Sequence, residues 1–344
     1  MSRRRILAGS ILTCFALVLG LGCRPEDSEN GEATTAAAEL PVVKVAINTW
    51  PGLGPFYVAH AKGFDREEGI ELQVTMTENT EARTSSLVSG ETDLVGITLD
   101  NIVISRARGL PLVVVGKSDI SYGGDGIIAK KEIRSVADLR GKRVACPEGL
   151  PSHFLLLYLL RQNGMGPADI ELVPADDGGQ AAFLFTSGNA DAAVTWDPWI
   201  SQTEKLAGGH VLITTREAPN LLLGIVAANK NYLPERADRI TRAMRAWFKA
   251  VEYTKTHADE SAAIMSKEFN VPPADFQRMA AGAQLTDLPD TLKTFGTASQ
   301  PGPVRQLALD ASEIWMASKV IDKPVAPEEV IDWTVIDKLR SSEV

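Results

Sequence analysis

The sequence repeats itself at a spacing of about a hundred residues, and a chain that uses one supersecondary unit twice is restricted to two similar, packed halves. Ile70-Glu71-Leu72 returns as Ile170-Glu171-Leu172, Ser89-Gly90 with Asp93 returns as Ser187-Gly188 with Asp191, and Gly126-Ile127-Ile128-Ala129 returns as Gly224-Ile225-Val226-Ala227. The last two pairs share one offset, 98. Common order and offset separate these short identities from chance.

The recurring unit begins at residues 42–69. Val42, Val43, Val45 and Ile47 read as a buried strand, Trp50-Pro51-Gly52-Leu53-Gly54-Pro55 as a turn-rich loop, and the following helical pattern stops at Gly63. Its counterpart is the strand at Lys142 to Cys146, followed by Pro147-Glu148-Gly149-Leu150-Pro151. Strand, loop and helix in alternation predict an α/β fold of two lobes, each a mostly parallel sheet with helices on both faces. Lobe one is expected at 41–125 and 229–344 and lobe two at 126–228. The glycine-led apolar runs at 126–130 and 224–228 read as the crossings, and two crossings make a hinge. Helical spacing after residue 229 predicts helices at 234–257, 260–269, 273–283, 303–318 and 327–339, bracing the first lobe.

Residues 1–22 read as an export signal, with Arg3, Arg4 and Arg5 ahead of an uncharged apolar run. That run is short for a membrane span of about 20 residues. Leu21-Gly22-Cys23 resembles a bacterial lipobox, which makes Cys23 the expected lipidation site; a cleaved secretory signal and an uncleaved anchor are the alternatives, and all three export the chain. Residues 23–40 are polar and aperiodic and read as a flexible tether. The net charge of -9 becomes -12 once the three arginines leave, which disfavours nucleic acid as a partner. With Cys14 in the signal and Cys23 lipidated, Cys146 has no partner for an intramolecular disulfide and reads as a small buried hydrophobe.

Several stretches together carry a family resemblance: Trp50-Pro51-Gly52 with Pro55 and Ala59, Ala61-Lys62-Gly63-Phe64-Asp65, Glu68-Gly69-Ile70, Gly90 to Asp93, Asp138-Leu139-Arg140-Gly141-Lys142-Arg143-Val144-Ala145 and Ala193-Val194-Thr195-Trp196-Asp197-Pro198-Trp199. In this order they resemble the periplasmic substrate-binding proteins of ABC importers, in the nitrate, sulfonate and taurine group with its pyrimidine-binding relatives. The resemblance implies a two-lobed hinged fold, the Venus-flytrap or type II periplasmic binding protein architecture. It further implies capture of a small solute by lobe closure, delivery to a permease with its ATPase, a monomer, and no cofactor or metal.

The loops themselves assemble no zinc motif, nucleophile elbow, P-loop or dinucleotide fingerprint, and the four histidines are scattered. Binding residues are therefore expected where strand ends meet: Thr49, Trp50 and Tyr57 from the first unit, Thr98, Asp100 and Asn101 after the third strand, and Tyr122 and Asp125 at the crossing. From the second lobe come Ser152 and His153 at a helix start, and Trp196 and Asp197, which the offset of 98 sets opposite Thr98. For Tyr57 a packing role weighs equally. His153 has the alternative of a local hydrogen bond, Asp100 and Asp197 of ordinary turn chemistry, and Trp199 is assigned to packing. Aromatic faces beside carboxylates, in loops read as free of Arg and Lys, favour a small nitrogen-containing solute, zwitterionic or cationic. Two rival readings are an enzyme related to the pyrimidine synthases of the same fold and a receptor for a membrane sensor.

Overall fold

A computed structural model describes residues 39–206 and 209–341. The expected signal at 1–22, with Cys23 and the tether as far as residue 38, lies outside the described residues. The chain builds two sheets. The first uses β1 (Val42–Ile47), β2 (Glu71–Met76), β3 (Leu94–Thr98) and β4 (Leu112–Ser121). The second uses β5 (Asp125–Ala129), β6 (Arg143–Pro147), β7 (Glu171–Ala175), β8 (Ala192–Trp196) and β9 (His210–Thr214); β10 (Leu223–Asn229) and β11 (Ala283–Leu285) then return to the first.

The strand orders are β2-β1-β3-β10-β4-β11 and β7-β6-β8-β5-β9. In each, a central strand pairs parallel with two neighbours, β1 with β2 and β3 in one and β6 with β7 and β8 in the other. One antiparallel strand follows, β10 against β3 or β5 against β8. The repeated motifs fall at equivalent places. Asp93 sends its backbone N–H to Lys44 O and accepts Lys44 N–H on Oδ2, while Asp191 does the same with Arg143 O and Arg143 N–H. Each aspartate thus pins the first residues of the central strand to the strand beside it.

The segments 126–130 and 224–228, expected as crossings, instead fall within β5, apart from Lys130, and within β10. A β-branched run led by glycine is a strand signal, and its backbone groups are spent on the ladder. The chain passes between sheets just before each run, through 122–124 and 215–222. These two links are bonded to one another: Thr215 Oγ1 accepts the Gly123 N–H at 2.7 Å and lies 2.9 Å from Ser121 Oγ. Gly123 has a φ of 97°, a conformation that favours glycine.

Both sheets are covered on both faces, which explains their near-continuous apolar strands. Along β1, Val43, Val45 and Ile47 face a core closed by the helix Leu233–Thr256, where Trp247 meets Phe56 at 4.5 Å. The other faces of the two sheets share one apolar core, in which Ile97 and Ile225 of the first are continuous with Val144, Cys146 and Val194 of the second. Trp315, on the helix Val304–Ala317, sits fully buried in that core, 5.3 Å from Phe154 and 5.6 Å from His153, and donates its indole N–H to Asp100 O. This helix therefore braces both sheets. The helix expected at 327–339 is two, Pro327–Val330 and Trp333–Arg340, the second capped by Asp332.

Candidate functional site

A cleft of about 640 Å³ opens where the carboxyl ends of strands from both sheets meet. The first sheet contributes Thr49 and Trp50 after β1, Glu78 to Glu81 after β2, Thr98 at the end of β3 and Asn101 after it, and Ser118, Asp119 and Ser121 of β4. The second contributes Asp125, Glu148 after β6, Asp176 and Asp177 after β7, and Trp196 and Trp199 around the end of β8. This is the general ligand position of open α/β sheets.

Local sequence fixes the walls. Pro51 and Pro55 each occupy the first turn of a short helix, so the loop leaves β1 in one direction and presents Trp50. The Trp50 Nε1–H donates to Asp119 Oδ1 at 2.7 Å, and Ser118 Oγ donates to Oδ2 at 2.7 Å. That carboxylate lies between two glycines: a Cβ on Gly52 would come within 2.5 Å of it, and one on Gly224 within 2.3 Å. On the cleft's other flank, Ser121 Oγ donates to Asp125 Oδ2 at 2.6 Å.

Charge is distributed unevenly. Glu78, Glu81, Asp119, Asp125, Glu148, Asp176 and Asp177 all line the cleft, against one cationic side chain, Arg83. Arg83 is buried, its Nη1 donating to Thr77 O at 2.5 Å and Glu78 O at 2.7 Å and its Nη2 to Thr80 Oγ1 at 3.1 Å. Burial pushes its pKa down to about 10, against the opposing pull of Glu78. Burial likewise pushes Asp119 up to about 6, and it pushes Asp125 up to about 7, with repulsion from Asp119, Asp100 and Asp197 adding to the latter.

Of the residues expected from sequence, Thr49, Trp50, Thr98, Asn101, Asp125 and Trp196 line this cleft. The other six do not. Tyr57 packs edge-on against Phe269 at 6.2 Å, and burial followed by Glu268 raises its pKa. Asp100 is buried, accepting from Asn101 Nδ2, and burial pushes it up to about 6. The Tyr122 ring lies under the Arg216 guanidinium at 4.8 Å. Ser152 is fully buried, and its Oγ has no hydrogen-bond partner among the described residues. His153 makes the local bond of its alternative reading, accepting the Gly149 N–H at 3.2 Å, and burial lowers it to about 4. Asp197 accepts from Ser201 N–H and Oγ and lines a separate cavity of about 210 Å³.

The reading of Arg-free loops is corrected by Arg83: it lies on a helix, where a polar residue reads as solvated surface, yet its guanidinium folds back onto the loop. Asp119 was hidden inside a strand. Asp176 and Asp177 had a usable signal, since the offset of 98 pairs them with Glu78 and Asn79. Asn79 and Asp177 indeed cap equivalent helices, accepting from Ala82 N–H and Gln180 N–H at 2.8 Å each.

The chain is 22% identical over 344 residues to a Bacillus subtilis protein named for binding aliphatic sulfonates, with 96% of each chain covered. It is 22% identical over 290 residues to the taurine-binding periplasmic protein of Escherichia coli, covering 80% of this chain and 87% of that one. The crystal structure of the periplasmic aliphatic sulphonate binding protein SsuA from Escherichia coli superposes with a TM-score of 0.71 at 20% identity, covering 86% of this chain and 99% of that one. At that identity the superposition establishes the periplasmic binding protein fold. The model of the family described as NMT1/THI5 like matches residues 50–261, a stretch that holds most of the cleft walls, both links between the sheets and the long helix, and the chain belongs to that family.

Proposed function

We propose that this chain is the extracytoplasmic solute-binding component of an ABC importer, which captures a small polar organic solute in the cleft and hands it to a permease with its ATPase. The observation that carries this reading is the cleft itself, about 640 Å³, a size suited to a small molecule and walled by strand ends of both sheets. The two short links at 122–124 and 215–222 join the sheets beside it, so closure about them would surround the solute, driven by its preference for the closed form.

Binding rather than catalysis is supported by the relatives, which are named as binding proteins. Cys146, the one cysteine among the described residues, is buried with its thiol pushed well up by burial, the opposite of what a nucleophile needs. We place the chain outside the cytoplasm as a monomer tethered through lipidated Cys23; among the described residues no helix is long and apolar enough to cross a membrane. Uptake assays in a deletion strain, with mass spectrometry of small molecules released from the purified chain, test the function. Unchanged uptake of every released compound would reject it. Loss of fatty-acid labelling in Cys23→Ala tests the anchor.

A further inference from the structure

We infer that the solute carries a cationic nitrogen, an amine or amidine, seated between Asp125, Asp119 and the faces of Trp50 and Trp196; this rests on the solute-binding reading above. Among the described residues the cleft places seven carboxylates around its wall and floor against one guanidinium, whose two Nη groups donate to Thr77, Glu78 and Thr80 and whose buried Nε is left without a partner. Asp119 and Asp125 are 1% and 6% exposed, yet neither makes an ion pair among the described residues. A buried carboxylate without a cation is costly, and the cost is relieved either by taking up a proton or by a cationic partner.

The hydrogen bonds indicate where that partner sits. Asp119 has both oxygens occupied by neutral donors, the Trp50 indole and the Ser118 hydroxyl, so it contributes charge at short range. Asp125 uses Oδ2 for Ser121 and takes no hydrogen bond from a described residue on Oδ1, while its side chain lines the cleft. Trp50 stands against Gly124, where a Cβ would come within 2.6 Å of its ring, and Trp196 stands likewise against Gly178 at 2.9 Å. Both indoles are therefore held by backbone rather than free to turn. An ammonium or amidinium in this position donates to Oδ1 and meets aromatic faces, which favour cations. A sulfonate or nitrate in the same position is repelled by the ionised form of both carboxylates.

Position in the repeat adds an independent argument. The offset of 98 pairs Asp125 with Leu223, which occupies the same place in β10 and is buried in the shared core. The fold accepts an apolar residue there, so the carboxylate of Asp125 answers to something other than the fold.

Isothermal titration of the purified full-length chain with ethanolamine, agmatine, benzamidine and 4-aminopyrimidine, and with ethanesulfonate and nitrate as anionic arms, tests this. At least one nitrogen cation is expected to bind, and Asp125→Asn should weaken it roughly 100-fold with the circular dichroism spectrum unchanged. Should Asp125→Asn not fold, Glu148→Gln at the exposed rim provides the second variant, with a weakening of about threefold expected from a peripheral charge. Binding of the anions alone, no binding of any cation at millimolar concentration, or equal affinity in a folded Asp125→Asn overturns the inference while leaving solute binding intact. Failure of the transport assay, by contrast, removes the underlying reading.

Discussion

Asp93 and Asp191 perform one task in two places, tying the start of the central strand to its neighbour by the same pair of backbone bonds. What differs is how each charge is balanced. Asp93 is met by Arg236 at 3.0 Å and Arg239 at 2.7 Å, both from the helix Leu233–Thr256, which the chain supplies 143 to 146 residues later. Asp191 is met by Arg143 and Lys130 within its own half, and the Arg143 hydrogen bond holds it well below the usual carboxylate range. The backbone requirement recurs because the sheet geometry recurs. The counter-charge is drawn from whatever the chain packs nearby. Where the halves diverge in residue type instead, Asp125 lines the cleft while its counterpart Leu223 is buried in the core, and Trp196 and its counterpart Thr98 line the cleft with different side chains.

The sharpest way to break the comparison is to remove what both halves share. Trp315→Ala should cost about 3–5 kcal/mol, because it opens a cavity in the common core, and calorimetry should show both sheets destabilised together. Next, Asp93→Ala should cost about 2 kcal/mol, since it leaves two partly buried arginines and the Lys44 N–H without their carboxylate; a loss no larger than that of Asp191→Ala would show that the long helix contributes nothing to the staple. Asp125→Asn is expected to act in the opposite direction, raising stability by about 2 kcal/mol at pH 8. The sign follows from its pKa, raised to about 7 by burial and neighbouring carboxylates. The contribution is full below the unfolded value and is lost as pH rises through 7, so an uncharged amide removes the loss, and the gain should vanish near pH 4. Thermal melts at both pH values check this. Asp191→Ala, whose partners Arg143 and Lys130 are each more than a third exposed, should cost only about 1 kcal/mol.

Periodicity and repetition made the fold legible, because burial on both faces of a sheet writes itself as an apolar run regardless of detail. The site was only partly legible for an equally physical reason. Trp50 could be read because a tryptophan between prolines and glycines has few core positions to occupy. Asp119 could not, because a strand residue shows which face it occupies and not that two glycines have been cleared around its carboxylate. Tyr57 and His153 carry the right chemistry on helices whose rotation turns them toward Phe269 and Trp315. Rotation about a helix axis depends on packing partners far along the chain. Arg83 is the same problem reversed, a surface-type residue folded inward onto carbonyl oxygens.

The path of the chain through its sheets has a consequence for dissection. Because β10 lies between β3 and β4, and Trp315 closes the core that both sheets share, no cut in the sequence yields a half that keeps all its neighbours. A fragment ending near residue 214 would lack the strand at the centre of its own first sheet. Such a molecule should unfold in one step, with proteolytic fragments surviving only while they stay associated, and its two halves are separable in motion but not in folding.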